Sequence, residues 1–392
     1  MVHKSIILLF LLTIALSVFG KPKTTILPGA FQTDDYFPML KGKTIGIVAN
    51  QTSTIGRKHL VDSLLKSGFT IKCVFAPEHG FRGNNGAGEE IKNNVDSLTG
   101  IPIVSLYGKH LGPDSNELKG IDLMIFDIQD VGVRFYTYIS TLQYVMESCA
   151  KHNIPLIILD RPNPNGFYID GPILETNYAS FIGMQPIPVV YGMTIGEYAK
   201  MINGEKWLRN KKQCNLKVIP VRNYYHSTKY RLPIPPSPNL PDLDAIYLYP
   251  SICFFEGTVV SLGRGTNKPF RLIGFPSNVS GNITFKPEVI LGVAPNPPYR
   301  DTVCSGFDLS GEGIKLIGEK KIQLKWLMDM YSTYPDKEKF FTDFFDKLAG
   351  NSVLRKQILH QKSEAEIRKS WEKGIQNFKG IRKKYLIYVD FE

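Results

Sequence analysis

The sequence predicts an α/β protein in which a mostly parallel sheet domain is followed by a smaller α+β domain. Short apolar runs alternate with helical patterns over residues 43–222, which is typical of a parallel sheet covered by helices on both faces. Residues 233–241 contain five prolines and are therefore expected to form an extended connector. Beyond them, strands punctuated by glycine and proline precede a helical tail. We expect the functional site in the cleft between the two domains.

The individual elements follow from hydrophobic periodicity. Apolar runs predict strands over residues 44–49, 71–76, 101–106, 121–127 and 154–159. Helical spacing of apolar residues predicts helices over 58–66, 136–151 and 195–202. In the second domain it predicts helices over 326–331, 336–348, 354–359 and 364–378, and an apolar run predicts a closing strand over 385–389. The alternation in the first domain is Rossmann-like.

Residues 1–20 are expected to lie outside the fold. A short basic start at His3 and Lys4 precedes an apolar run that ends in Gly20, which is the pattern of a cleavable secretory signal; an uncleaved anchor is the alternative. No later apolar run is long enough to span a membrane, so we expect no transmembrane segment in the mature chain. We therefore expect an exported protein, periplasmic or secreted, with domains over 21–240 and 241–392.

Composition excludes several classes of protein. With 43% hydrophobic and 21% charged residues, the chain is neither disordered nor a polytopic membrane protein. A formal net charge of +11 favours acidic partners. No basic stripe interleaved with aromatic residues is present, so no nucleic-acid partner is expected, and the basic runs at 211–212 and 382–384 are interpreted as solvated faces. The five cysteines are scattered, which argues against a disulfide scaffold or a metal site.

Polar and ionisable side chains follow every predicted strand of the first domain. Loops at the carboxyl ends of parallel strands converge on one edge of the sheet, and ligands bind there. The side chains expected at this edge are Asn50, Glu78, His79, Arg82, Tyr107, Asp127, Asp130, Arg134, Tyr136 and Arg161. After the connector, Asn239, Glu256 and Arg264 lie near small residues that let a ligand approach the backbone closely. These three are expected to form the other wall of the cleft.

Each of these residues also has a structural interpretation. Glu78 and His79, adjacent and flanked by proline and glycine, are better explained by function. Glu197 stands in a capping-box spacing with Thr194 and is better explained as a helix cap. Both interpretations stay open for the acidic residues that could cap a helix or pair with an arginine: Asp127, Asp130 with Arg134, and Asp160 with Arg161.

Common cofactor and nucleophile motifs fail when they are tested. The glycine-rich dinucleotide fingerprint, the phosphate loop and the nucleophile elbow are all missing, so we predict no nucleotide cofactor. Two Ser-x-x-Lys spacings, at Ser63 and Ser370, lie on amphipathic helices without the partner motifs of serine acyl enzymes. They are interpreted as chance matches.

Several long blocks of this sequence resemble the NamZ family of exo-β-N-acetylmuramidases, glycoside hydrolase family 171. The blocks are 48–52, 77–83, 127–142, 159–164, 192–197, 237–241 and 255–269, and the end of the chain is also similar. The resemblance implies an enzyme that releases N-acetylmuramic acid from the non-reducing end of peptidoglycan-derived glycans, without a cofactor. Muramic-acid-terminated glycans are thus the expected partner; a non-catalytic wall-glycan binding protein on the same fold is the alternative.

Glycoside hydrolysis assigns roles to the candidate residues. It needs an acid for the leaving oxygen and a second group at the anomeric carbon. Glu78 is the candidate acid, with His79 orienting it or binding a sugar hydroxyl. The second group stays open among Asp127, Asp130, Glu256 and the 2-acetamido group of the substrate. The arginines that could clamp the lactyl carboxylate are, in order of preference, Arg134 or Arg264 and then Arg82 or Arg161. Sugar contacts are expected from Tyr107 and Tyr136, and further substrate contacts from Asn50 and Asn239.

Overall fold

The computed structural model describes residues 25–83, 89, 93–276 and 278–392. The expected signal segment, 1–20, lies outside these residues. The predicted fold class is confirmed: a mostly parallel sheet with helices is followed by a second α+β part. In the described part of the chain, no helix is long and apolar enough to cross a membrane.

A seven-stranded sheet organises the first part. Along the sheet the order is β5-β6-β4-β1-β7-β8-β9, and only β5 runs antiparallel to its neighbour. Its strands are β1 (Thr44–Ala49), β4 (Thr70–Ala76), β5 (Asn94–Val95), β6 (Pro102–Ser105), β7 (Leu123–Asp127), β8 (Leu156–Leu159) and β9 (Leu216–Ile219), while β2 (Thr54–Ile55) and β3 (Lys58–His59) form a separate hairpin. The chain order reverses between β1 and β7, which makes their carboxyl ends the topological switch point.

Helices cover both faces of this sheet because its strands are apolar on both sides. On one face, Ile45, Ile47 and Ile125 pack with residues from α1 (Thr33–Leu40) and α2 (Leu60–Lys66). On the other, Val48, Phe75 and Phe126 join a larger core with α4 (Tyr138–His152) and α5 (Ile195–Gly204). A short helix, α3 (Ser115–Leu118), precedes β7.

The second part continues the larger core rather than building a separate one. It begins with α6 (Leu243–Ile252) and a three-stranded antiparallel sheet of β10 (Leu272–Phe275), β12 (Cys304–Asp308) and β11 (Ile283–Phe285). The helices that follow are α7 (Glu312–Glu319), α8 (Lys325–Thr333), α9 (Phe344–Ala349), α10 (Val353–Leu359) and α11 (Glu364–Arg382).

Two sequence-based expectations for these elements are wrong, and one strand of the sheet was not predicted. The helix predicted over 336–348 is a short 3-10 turn at Lys337–Lys339 followed by α9. The strand predicted over 385–389 is irregular, and its Tyr388 side chain instead packs against Val221 and Tyr224. The edge strand β9 was not predicted, because its Leu216–Ile219 run is too short and too mixed to produce a periodic signal.

Candidate active site

A cavity of about 640 Å³ lies beyond the carboxyl ends of β4 and β6 and is closed on the far side by the second part of the chain. Its volume falls within the usual range of small-ligand sites. Of the residues predicted from sequence, those that line it are Glu78, His79, Tyr107, Tyr136, Asn239, Glu256 and Arg264. A cavity is therefore present at the predicted cleft, and about half of the expected residues line it.

Glu78 is presented to the cavity by a tight turn directly after β4. The amide of Gly80 donates to the carbonyl of Pro77 at 2.9 Å, and His79 between them has φ 71°. A β-turn with its third residue in the left-handed region suits glycine, so a histidine there is strained by about 1 kcal/mol or more. Strain of this kind is retained where the surrounding structure needs the side chains in place, and His79 and Glu78 both face the cavity.

Two hydroxyls fix the carboxyl group of Glu78. Tyr107 Oη donates to Oε1 at 3.0 Å, and Thr137 Oγ1 donates to Oε2 at 2.9 Å. Burial, followed by the negative charge of Glu78, raises the pKa of Tyr107 well above its usual value, so this hydroxyl stays protonated. Hydroxyl groups can also accept a hydrogen bond, so the same contacts can hold Glu78 in either protonation state.

Aromatic side chains build one wall of the cavity. The Tyr136 ring packs edge-on against Tyr138 at 4.8 Å and Tyr249 at 5.9 Å between centroids, and Tyr249 packs against Phe270 at 5.2 Å. The Tyr136 hydroxyl donates to the carbonyl of Pro236 at 2.8 Å. The proline-rich segment is thus part of the cavity wall as well as a connector.

Glu256 and Arg264 form an ion pair that lines the cavity beside this aromatic wall. The distance from Arg264 Nη2 to Glu256 Oε1 is 2.5 Å, and the guanidinium also lies 4.7 Å from the centre of the Phe270 ring. Burial is the largest single effect and lowers the pKa of Arg264, but the charge and hydrogen bond of Glu256, together with Cys253 and Tyr249, raise this pKa on balance. About a quarter of each side chain stays exposed, so a ligand in the cavity can reach the pair.

The switch point between β1 and β7 is filled by the chain's own side chains, so three of the expected residues lie outside the cavity lining. Arg161 Nε and Nη2 donate to both oxygens of Asp127 at 2.6 and 2.8 Å. Asn50 Oδ1 accepts from the amide and hydroxyl of Thr52. All of these groups are buried and none lines the cavity. Asp127, Arg161 and Asn50 therefore bond to groups of the protein itself and lie behind the cavity wall.

Asp130 and Arg134 also lie outside the cavity, and they do not pair with one another. Asp130 Oδ2 accepts from the Tyr191 hydroxyl and from the amide of Gly132. Arg134 was a first choice for the carboxylate clamp, but it is completely buried and donates to four backbone carbonyls. Those of Leu348 and Ala349 belong to the last turn of α9, where helix carbonyls lack partners of their own. Arg134 thus ties the two parts of the chain together.

Arg82, a second-choice clamp, points away from the cavity as well. Its guanidinium donates to both oxygens of Asp96 and, at 3.3 Å, to Asp62. These bonds hold the loop after β4 against the edge of the sheet. Of the four arginines proposed as clamps, Arg264 is the one that lines the cavity.

Sequence reasoning missed several lining residues. Thr137 and Tyr138 lie inside the 127–142 block that resembles the NamZ family, but they are not among the predicted site residues. The loop over 293–297, with its Pro-Asn-Pro sequence, and Phe181 gave no chemical signal at all, although both line the cavity. Among the described residues, no group of three or more His, Cys, Asp or Glu side chains converges as a metal site would.

Comparisons with known proteins agree with this architecture. Residues 45–244 match the family model described as exo-β-N-acetylmuramidase NamZ, N-terminal, and residues 247–388 match the corresponding C-terminal model. The chain is 40% identical over 391 residues to the peptidoglycan β-N-acetylmuramidase NamZ of Bacillus subtilis strain 168, covering 94% of this chain and 92% of that protein.

Two crystal structures of DUF1343 family proteins from Bacteroides fragilis NCTC 9343 are also similar. One shares 48% identity with a TM-score of 0.87, and the other shares 28% identity with a TM-score of 0.75. Each comparison covers 94% of this chain and 100% of the crystallised chain. Because both family models together span nearly the whole described fold, this chain belongs to the NamZ family of exo-β-N-acetylmuramidases.

Proposed function

We propose that this protein is an exo-acting glycoside hydrolase that releases N-acetylmuramic acid from the non-reducing end of peptidoglycan-derived glycans. The observation that carries the proposal is the convergence of Glu78 with the Glu256–Arg264 pair on one cavity. Family membership and the curated relative's printed activity support it. The reaction would use these side chains without a cofactor.

Glu78 is the group we propose as the general acid. It is half-buried at the cavity wall, and Tyr107 and Thr137 hold both of its oxygens. Protonation of the leaving oxygen by a positioned acid contributes about 10²–10⁴-fold to the rate of such reactions. Asp127 and Asp130 face elsewhere, so Glu256 and the substrate's own acetamido group remain as candidates for the second group at the anomeric carbon.

Arg264 is the group we propose for recognition of the lactyl carboxylate. A guanidinium carries five N–H donors in a planar fork, and the contact with Glu256 occupies one side of it. The remaining side suits a carboxylate that enters the cavity. This contact would distinguish muramic acid from glucosamine, which has no lactyl group.

The direct test is release of free N-acetylmuramic acid from a chromogenic muramide and from a disaccharide with N-acetylmuramic acid at its non-reducing end. We expect turnover by the wild type, a loss of about 10²–10⁴-fold in kcat for Glu78→Gln, and largely unchanged substrate binding. Glu372→Gln, at an exposed position of α11, is the matched control and should turn over normally. Normal binding by the wild type without any release would favour the non-catalytic binding protein.

We also propose that the chain is exported and that residues 1–20 are removed. Support comes from the basic start and apolar run of this segment. Expression of the full chain in a bacterial host, followed by fractionation and N-terminal sequencing, tests this. A mature protein beginning close to Lys21 outside the cytoplasm is expected, and a cytoplasmic protein that keeps residues 1–20 would contradict the proposal.

A further inference from the structure

The edge of the sheet opposite the cavity carries a basic groove. Its volume is about 410 Å³, and it lies at the amino ends of β7, β8 and β9, beside the end of α1. Lys41, Lys43 and Lys217 line it, and none of the aspartates and glutamates that the structure describes does. A groove lined by charges of one sign raises the local concentration of ligands of the opposite sign.

The loop that leads into this groove is also basic. Residues 205–215 connect α5 to β9, and their exposed cations are Lys206, Arg209, Lys211 and Lys212. Asn215, at the end of the loop, lines the groove itself. The groove and the loop are therefore parts of one surface.

The fold adds a second basic run from the far end of the sequence. Lys383 and Lys384 are exposed, and Lys384 Nζ lies 2.9 Å from Glu205 Oε1 at the start of the loop. The Tyr385 hydroxyl donates to the same oxygen at 2.7 Å. From sequence alone, the basic runs at 211–212 and 382–384 are interpreted as separate solvated faces. The contacts with Glu205 place their exposed lysines on one face. We name it the amino-edge basic face, and its members are Lys41, Lys43, Lys206, Arg209, Lys211, Lys212, Lys217, Lys383 and Lys384.

The carboxylates that contact this face are few and already engaged. Glu205 is bonded to Lys384 and Tyr385. Glu147 accepts from the amide of Arg209, and Asp122 accepts from the amide of Thr44 beside the groove. These groups leave the face with a clear excess of positive charge.

The character of the surface indicates which polyanion fits it. Among the described residues of this face and groove, Met39 is the large apolar side chain classed as exposed, at 36%. The aromatic side chains Trp207 and Tyr385 are only partly exposed and pack against the core. A membrane-binding face would be expected to present several apolar or aromatic side chains, and a single-stranded nucleic-acid site would present stacking aromatics. A flexible polymer with separated carboxylates can bind to lysine and arginine side chains without exposed apolar or aromatic groups.

We propose that the amino-edge basic face binds peptidoglycan strands through the free carboxylates of their peptides and, where a sugar carries no peptide, through the lactyl carboxylate. This rests on the proposed function, because peptidoglycan is the polymer whose ends that activity would trim. The face lies on the opposite edge of the sheet from Glu78, so it holds the enzyme on the polymer without occupying the catalytic cavity. Binding is electrostatic and weakens as salt screens the charges.

The test compares two triple variants of the full mature protein with equal net charge. Lys41→Gln, Lys212→Gln and Lys217→Gln together remove cations from the face, whereas Lys347→Gln, Lys369→Gln and Lys373→Gln together remove exposed cations from α9 and α11. At low salt we expect the first variant to cosediment with insoluble peptidoglycan on the order of tenfold more weakly, and the second to behave as wild type. Added salt should remove the difference between them.

Activity on two substrates separates this proposal from the proposed function. Both variants should hydrolyse the small disaccharide at the wild-type rate, while the first should release less N-acetylmuramic acid from intact peptidoglycan. Equal loss of cosedimentation by the two variants would overturn the proposal, since net charge alone would explain it. Preferential binding of the wild type to vesicles of phosphatidylcholine and phosphatidylglycerol over peptidoglycan would overturn it as well. If the wild-type protein does not hydrolyse the disaccharide, this result contradicts the proposed function and not the proposal for the basic face.

Discussion

Two arginine–carboxylate pairs in this protein have the same chemistry and opposite surroundings. Asp127 and Arg161 are at most 3% exposed and fill the switch point of the sheet, whereas Glu256 and Arg264 keep 27% and 22% of their side chains exposed in the cavity. The first pair occupies the crevice where an open sheet of this topology commonly binds a ligand. The cavity lies instead beyond the ends of β4 and β6, where Glu78 lines it. Position at a strand end is therefore not enough to bring a side chain to the cavity.

The largest expected effect comes from breaking the buried pair. Asp127→Asn leaves the Arg161 charge buried without its counter-charge, which should lower the free energy of unfolding by about 3–5 kcal/mol. Glu256→Gln is the matched change in the open pair and should cost within about 1 kcal/mol, because water can solvate Arg264. Urea denaturation of both variants measures the difference. Equal losses would show that burial does not separate the two pairs.

Arg134 is a third arginine for this comparison, because it is buried and its hydrogen-bond acceptors are backbone carbonyls instead of a carboxylate. Arg134→Met removes hydrogen bonds to four carbonyls, two of them at the end of α9, and should lower the free energy of unfolding by about 2–3 kcal/mol. Since Arg134 does not line the cavity, the preference for muramides over glucosaminides should not change. Thermal unfolding and the two rates check this together, and a changed preference would return Arg134 to the substrate site.

These pairs show how far the sequence could predict the site. Continuous apolar strands specify the sheet, and the sheet places strand-end residues at one edge, so the neighbourhood of Glu78 was predictable. Residues over 48–52 and 127–134 satisfy the same rule, yet their side chains turn inward. A single sequence does not indicate whether a strand-end side chain faces the cavity or packs inward, because this depends on which loops pack together. Arg161, for example, reaches Asp127 only because β8 lies beside β7.

The second part of the chain was less predictable for a related reason. Glu256 and Arg264 were proposed because small residues surround them, and both line the cavity. The contributions of Phe181 and of the 293–297 loop depend on long-range packing that no local pattern encodes. Helix 364–382 was foreseen in large part because its amphipathic spacing is long, whereas the irregular end over 385–389 is shaped by contacts with the first part.

A smaller effect is expected from the open pair, and it concerns specificity. Arg264→Ala should reduce kcat/KM for muramide substrates about 10- to 100-fold more than for glucosaminide analogues, as expected for one charge-assisted hydrogen bond. Arg264→Lys keeps the charge without the planar fork and should fall between wild type and alanine. Kinetics on both substrate types measure the ratio. A parallel loss on both would mean that Arg264 positions Glu256 and does not read the lactyl group.

The smallest expected effect concerns Asp130, which is compared with Asp127. Asp127 is the last residue of β7, and Asp130 lies in the loop after it. Asp127 has a buried arginine as its partner, whereas the hydrogen-bond partners of Asp130 are Tyr191 and the amide of Gly132. Burial raises the pKa of Asp130 to about 6 even though hydrogen bonds from Tyr191 and from the amides of Gly132 and Val131 lower it. A folded-state pKa above the unfolded one means that the folded protein binds the proton more tightly. The contribution of Asp130 to stability is therefore fully present below about pH 4 and is lost as the pH rises through about 6.

Replacement of this carboxyl by an amide isolates its share of the pH dependence. Asp130→Asn cannot ionise, so its free energy of unfolding, relative to wild type, should improve as the pH rises from about 4 to about 6 and then level off. Asp343→Asn, at an exposed position before α9, is the control and should follow the wild-type profile. Urea midpoints across this range give the comparison. If the wild type and Asp130→Asn lose stability in parallel, Asp130 does not take up a proton in the folded state, and its burial is compensated by the Tyr191 hydroxyl and the Gly132 amide in the way that Arg161 compensates Asp127.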